Sequence, residues 1–251
     1  LKTFYQNYTS LGISAEDLID RYTKSYYSQH KEIKVTKDEK LKSHINNPIL
    51  INLIDEAIRF ITHLRDLDNN SKFIPTYFEK SFGSKSGFSA LPLTDTISLK
   101  GQVDRVDLYD NYFRIIDYKS GNADATFTEL YYGKKLQLFL YALAIKNATG
   151  LIPSGTFYLP IQNVVEKSNS TDSVYKLTGF YTDNNDLADA YDINILSNLK
   201  SNFVNMTLKK DGTISKRSDK VLTSSQMELM MDYAKNLSVE ALKEISLGKF
   251  N

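Results

Sequence analysis

Cysteine is absent from the 251 residues. No disulfide can form within the chain, and no thiolate site, iron–sulfur clusters included, can be built from it. That agrees with a reducing compartment, and a bacterial cytoplasm is the expectation. No stretch of about 18 apolar residues occurs, so no membrane-spanning helix is predicted. A basic-then-apolar leader is missing as well. So is a G-x-x-x-x-G-K-S/T phosphate loop, which places any use of ATP outside this chain. Charge of one sign is also lacking: 31 Lys and Arg stand against 30 Asp and Glu, a net charge of +1. Contact with a polyanion must therefore come from local clusters.

What is present is ample apolar surface. At 41% apolar residues the chain can bury a real core, as one large domain or two small ones. It starts at Leu1 and stops just after "ALKEISLGKF", so a fragment of a longer polypeptide is expected. Ser14 and Asp17 resemble a capping box for a helix to about His30, and the polar "KEIKVTKDEK" follows. Asn47-Pro48 then reads as N-cap and N1. Leu50, Leu53, Ile54, Ala57, Ile58, Ile61 and Leu64 keep helical period behind it.

From Phe73 the pattern changes to short β-type runs: "FIPTYFEKSFG", "TISLKGQVDRVDLY" and "YFRIIDYK". Thr126 and Glu129 predict a capped long helix to about Asn147, and "SGTFYLPIQ" the next strand. "VVEKSNSTDS" reads as a polar loop and "VYKLTGFY" as its return strand. A weakly patterned helix is expected near 186–200. "NMTLKKDGTIS" predicts a hairpin turning at Asp211-Gly212. Ser225 and Glu228 are the expected start of a last helix that Gly248 closes. The order is α/β with a mixed sheet: an antiparallel hairpin, then a helical crossover. The expected parts are a helical lead-in over 1–47, a core over 48–163 and an extension over 164–251.

The hairpin "LKGQVDRVDLYDNYFRIIDYKSG" carries the chemistry. A two-residue turn at Asp110-Asn111 pairs Tyr109 with Tyr112 and Asp107 with Arg114. Both pairs are favourable, and a slip of one residue would destroy both. On this register Asp107 reads as half of a surface salt bridge. Asp104 falls opposite Asp117, on a face otherwise made of Val106, Leu108, Phe113 and Ile115. At about 5 Å and an effective dielectric near 20, two such charges repel by roughly 3 kcal/mol. Three remedies are open: a shared proton, neutralisation by Lys119 two residues on, or a divalent cation between hard oxygen ligands.

Glu79, on the preceding strand, is either a solvated side chain or a third acid for that place. Gln137 interrupts an apolar helix and shares a face with Tyr141, four residues on. Its buried amide is satisfied either by backbone or water, or by the acidic site. Lys209, Lys210, Lys216, Arg217 and Lys220 outnumber Asp211 and Asp219 between 209 and 220. They are either edge protection for a hairpin or a phosphate-contacting strip.

Glu79, the G-x-x-D of Gly101 to Asp104, the D-Y-K of Asp117 to Lys119 and the Q-x-x-x-Y of Gln137 to Tyr141 together resemble the PD-(D/E)XK nuclease superfamily, in its RecB-like branch. The runs "FIPTYFEKSFG", "FRIIDYKSG" and "YYGKKLQLFLYALA" are similar to the C-terminal nuclease domain of AddB/RexB-type subunits of bacterial helicase–nucleases. The resemblance implies a restriction-endonuclease-like fold, with a helix-strand-strand-strand-helix-strand core. It implies a DNase, working exonucleolytically in double-strand-break repair, with Mg²⁺ as cofactor and Mn²⁺ able to substitute. It also implies Asp104, Asp117 and the Tyr118 carbonyl as metal ligands, Lys119 as catalytic lysine, Glu79 as accessory acid, and Gln137 and Tyr141 lining the site. The implied partners are single-stranded DNA and a helicase–nuclease subunit of the AddA/RexA type, with no membrane. The alternative is a DNA-binding scaffold that keeps the fold without turnover. Two family features are missing. His30, His44 and His63 do not sit in the family's G-x-x-x-H context, which is expected upstream of Leu1. The four cysteines that hold a cluster in many such subunits are absent here.

Overall fold

The computed structural model describes residues 48–121, 124–161 and 175–248, with side chains from residue 56 onward. The expected helix over 14–30, the link after it and the loop 164–173 lie outside the described residues. The first element is helix α1, Pro48–Asn69. Of its periodic apolar face, Ile61 and Leu64 are buried and Ala57 and Ile58 half-buried, and Phe60 and Leu67 join the core beside them. Strand β1, Ile74–Phe82, follows. Then come a two-residue pair, β2 (Leu91–Pro92) and β3 (Ser98–Leu99), and the main hairpin, β4 (Gly101–Tyr109) and β5 (Tyr112–Lys119).

The crossover is made by α2, Phe127–Tyr131, and α3, Gln137–Thr149. The sequence pattern predicts one long helix here. The capping box of Thr126 and Glu129 is present, but the helix stops after one turn and a half. Gly133 (φ +73°) and Lys135 (φ +60°) are both left-handed, and no α-helix continues through that geometry. Strand β6, Ile152–Pro160, and β7, Thr178–Thr182, come next. The weak helix near 186–200 is a 3₁₀ turn followed by two four-residue helices, α4 (Ala188–Tyr191) and α5 (Ile195–Asn198). The Asp211-Gly212 turn forms, with Lys209 N–H donating to the Thr213 carbonyl and Ser215 N–H to the Thr207 carbonyl, but the pairing is a short bridge at Leu208 and Ile214 rather than two full strands. After β8, Val221–Leu222, the last helix α6 spans Ser224–Ser246. Its capping box is Thr223 with Gln226, two residues before the expected Ser225 and Glu228. Gly248 sits in the left-handed region just beyond its end, as expected.

The sheet has the order β1-β4-β5-β6-β7-β8. Its central pair, β5 and β6, is parallel; β1/β4, β4/β5 and β6/β7 are antiparallel, and β7/β8 is parallel. β7 and β8 therefore extend the same sheet as the hairpin. β6 can approach β7 closely only because of Gly179, where an added Cβ would lie 2.1 Å from the Thr156 carbonyl oxygen. Both faces are covered. α3 and α6 pack on Val106, Phe113 and Ile115. α1 and the segment from Tyr175 to Ile214 pack on Ile116, Phe157 and Tyr181. The middle strands are thus buried on both sides, as a parallel crossover requires.

The register of the hairpin is the expected one, from Tyr109↔Tyr112 through Asp107↔Arg114 to Arg105↔Ile116. The environment of Asp107 is not. The hairpin pattern implies a surface salt bridge, yet Arg105, Asp107 and Arg114 are all 0% exposed. Asp107 pairs with Arg105 Nε at 2.5 Å and with Arg114 Nε at 2.9 Å. Asp68 of α1 meets Arg105 Nη2 at 2.5 Å. The second layer closes over this face, which a hairpin considered alone does not reveal. Burial opposes the Arg105 charge, but Asp107 and Asp68 more than offset it and hold its pKa well above the ordinary value. Burial pushes the Asp68 carboxyl up to about 6, against the pull of Arg105.

A buried network that loses one member is left with uncompensated charge. Asp107→Ala is therefore expected to lose about 3–5 kcal/mol in urea unfolding at neutral pH. A loss below about 1 kcal/mol, the scale of an exposed pair, contradicts the buried role.

Candidate active site

The site forms where β4 and β5 leave their ladder. The last registered pair is Arg105↔Ile116. Beyond it the Asp104 carboxylate accepts the Tyr118 backbone N–H at 3.0 Å. Tyr118 turns its ring to the opposite face, edge-on to Phe60 at 6.0 Å. Only its backbone is on the side of Asp104.

Asp117 is 2% exposed. Its Oδ1 accepts the Gln137 amide at 3.0 Å. Its Oδ2 is buried and pairs with Lys119 Nζ at 2.5 Å. Lys119 Nζ also donates to Gln137 Oε1 at 3.2 Å. Gln137 Nε2 contacts the Tyr141 hydroxyl at 2.9 Å. Asp117, Lys119 and Gln137 thus close a ring of polar contacts, with Tyr141 behind it. Gln137 is the first residue of α3, so the break between α2 and α3 is what aims its amide at β5. Of the two readings of Gln137, the acidic site is the one observed.

Burial raises the pKa of Asp117; Lys119 opposes this through its hydrogen bond and its charge, and Asp104 adds the smallest push. The repulsion between the two aspartates is therefore real but secondary. It is relieved in two visible ways: Lys119 balances Asp117, and Asp104 is held by an amide.

Glu79 is placed less directly. The pairs Phe78↔Arg105 and Lys80↔Val103 bracket it, which sets it across from Asp104. It is exposed, has a left-handed φ of +47°, and its carbonyl accepts Gln102 Nε2 at 3.0 Å. Among the described residues no three His, Cys, Asp or Glu side chains form a group that could hold a metal ion. Glu79 is thus not gathered with Asp104 and Asp117 into a three-acid centre. The hard oxygens of Asp104, Asp117 and the Tyr118 carbonyl are of the type that could hold a divalent cation. His63 is elsewhere, with its ring between Tyr175 and Phe203 and its pKa lowered by burial.

The basic residues divide. Lys209, Lys210, Lys216 and Arg217 line one cleft of about 550 Å³, with Thr207 and Ser215. Lys216 Nζ also meets Asp183 at 2.5 Å. Lys220 points inward instead: its Nζ lies 3.1 Å from Asp124 and over the Phe180 ring. Two residues that the sequence leaves unmarked adjoin the site. Tyr158 is the cross-strand partner of Asp117, and Lys119 and Lys135 both stand over its ring. Burial, and then Asp117, raise the Tyr158 pKa. The glycine of "YYGKKL" is the available signal for Lys135, since it marks the helix break.

A family model described as the PD-(D/E)XK nuclease superfamily matches residues 1–244. The chain belongs to the PD-(D/E)XK nuclease superfamily. The six-stranded mixed sheet flanked by helices, with a long C-terminal helix, agrees with that fold. Among curated proteins it is similar to an ATP-dependent helicase/deoxyribonuclease subunit of Carboxydothermus hydrogenoformans, with 32% identity over 72% of this chain and 18% of the relative. The protein of the same name from Thermoanaerobacter sp. is 30% identical over 72% of this chain and 18% of the relative. That of Clostridium kluyveri is 25% identical over 85% of this chain and 20% of the relative. The chain spans a fifth or less of the length of these relatives.

Because burial raises the Asp117 pKa, the folded chain holds this proton more tightly than the unfolded chain. Its contribution to stability therefore falls as pH rises from the ordinary value of 3.8 through the raised one. In chelator at neutral pH, Asp117→Asn is expected to melt above the parent, and the gap should close as pH falls towards 3.8. A lower melting temperature at neutral pH contradicts the assignment.

Proposed function

We propose that the chain is a Mg²⁺-dependent deoxyribonuclease domain that cuts phosphodiester bonds exonucleolytically. The observation that carries this is the polar ring of Asp117, Lys119 and Gln137, set beside Asp104 at the mouth of one hairpin. Asp104, Asp117 and the Tyr118 carbonyl are the proposed ligands. A divalent cation bound there supplies Lewis-acid activation of a water and neutralises the phosphate; Mn²⁺ is expected to substitute. Lys119 would orient that water and, as the neutral amine once released from Asp117, would accept its proton to become the ammonium. Gln137 holds both Asp117 and Lys119 in one geometry, and Tyr141 fixes the Gln137 amide. Glu79 is an accessory acid outside the ligand set.

The substrate of this reading is a single strand of DNA delivered by a helicase–nuclease partner of the AddA/RexA type, during double-strand-break repair in a bacterial cytoplasm. The name of the relatives, a helicase/deoxyribonuclease subunit, supports this. Among the described residues no helix is long and apolar enough to cross a membrane. The cleft of Lys209, Lys210, Lys216 and Arg217 is the proposed non-specific contact to the strand, since phosphate contacts carry no sequence preference.

The test is degradation of single-stranded DNA with Mg²⁺. Asp117→Ala and Lys119→Ala are each expected to slow cleavage by about 10²-fold or more, the scale of a lost proton-transfer group, while DNA is still bound. Cleavage at the parent rate by either variant overturns the reading.

A further inference from the structure

Lys119 is held by more than Asp117 and Gln137. Its Nζ lies over the ring of Tyr158, 5.2 Å from the centre. That is inside the distance of about 6 Å at which an aromatic ring attracts an ammonium. Asp117 and Tyr158 are register partners on the parallel strands β5 and β6, so their side chains share one face of the sheet. Lys119, two residues beyond Asp117, shares that face as well. Its own register partner is Pro160, yet its side chain turns back along the strand to Asp117 and Tyr158.

The ring is a fixed seat. Tyr158 is 1% exposed and belongs to the core that α3 and α6 cover. Its strand is paired on both sides, with Asp117 of β5 and Thr178 of β7 as the register partners of Tyr158. Burial, and then Asp117, raise the pKa of its hydroxyl, so it is a neutral phenol at neutral pH. Its attraction for Lys119 is therefore that of a ring for a cation, with no phenolate involved. Lys119 is the flexible partner, a four-carbon stem with its side chain 33% exposed. Only its backbone is fixed, at the end of β5, where its carbonyl accepts the Ile161 N–H at 2.9 Å. When the ammonium is released from Asp117, Gln137 Oε1 at 3.2 Å and the Tyr158 ring still hold it.

We propose that Tyr158 is a positioning residue for Lys119, its ring seating the ammonium beside Asp117 and Gln137. This deepens the nuclease reading and rests on its assignment of Lys119 to catalysis. Tyr158 acts through Lys119 and has no contact of its own with the reacting atoms. The competing role for Tyr158 is that of a core aromatic with a lysine nearby.

The test is cleavage of single-stranded DNA with Mg²⁺ by variants of Tyr158. Tyr158→Leu is expected to lower kcat by roughly 3- to 30-fold, the scale of one cation–ring contact, and to leave KM within about twofold. Tyr158→Phe keeps the ring and should restore kcat. On a Lys119→Ala background, Tyr158→Leu should cost no further rate, because the two side chains act as a unit. A second readout needs no turnover. In chelator, with ¹³C-labelled lysine, the Lys119 Cε protons should resonate upfield of free lysine through the ring current. Lys135 Nζ also lies 5.5 Å from the ring centre, so the signal is assigned by its loss in Lys119→Ala. The shift should vanish in Tyr158→Leu and persist in Tyr158→Phe. If Tyr158→Leu does not fold, the shift in the parent and in Tyr158→Phe decides. An unshifted Lys119 signal, a parent kcat in Tyr158→Leu, or an equal loss of rate on both backgrounds overturns this inference alone. Cleavage at the parent rate by Lys119→Ala overturns the nuclease reading, and this inference with it.

Discussion

Asp107, clamped between Arg105 and Arg114 in the core, is the interaction on which the rest of the structure depends. It is the only acid on β4 whose cross-strand partner is a cation, so it sets which residue of β5 faces which of β4. Once that register is set, Asp104 and Asp117 must reach the open end of the ladder together. The same clamp reaches α1 through Asp68, so the second layer and the hairpin share one charge network. Buried ionic networks can cost more than apolar packing would. This one supplies register, which uniform apolar packing specifies less well.

The site on the other face works by opposed demands. Burial makes the Asp117 charge costly, Lys119 offsets that cost, and Gln137 ties the two together. The Asp117 carboxylate is thus engaged on both oxygens, by Gln137 on one and by Lys119 on the other. Here Lys119, the proposed catalytic lysine, also acts as counter-ion. The helix break at Gly133 to Lys135 serves both ends of this arrangement: it starts α3 at Gln137 and sets Lys135 beside Tyr158.

Much of this is legible from the residues. The hairpin register follows from two cross-strand pairs, and Gln137 and Tyr141 follow from helical spacing. The start of α6 differs from the expected one by two residues because Thr223 and Gln226 form the same kind of box as Ser225 and Glu228 would. The burial of Asp107 is not legible in the hairpin, because it depends on α1 and on the segment after Tyr175, both distant in sequence. Tyr109, Tyr112 and Ile116 on that face are the available hint. The inward turn of Lys220 is hidden for the same reason: its partners, Asp124 and Phe180, come together only in the folded sheet. Glu79 fits the sequence pattern, yet a left-handed backbone leaves it outside any three-acid cluster among the described residues.

One register bringing Asp104 and Asp117 together as a cation site is the central claim. Anomalous diffraction from a crystal soaked in Mn²⁺ tests it most directly. A peak is expected between the two carboxylates, within ligand distance of the Tyr118 carbonyl, with Lys119 displaced from Asp117 Oδ2. Mn²⁺ bound elsewhere, with the Asp117–Lys119 pair intact, would contradict it.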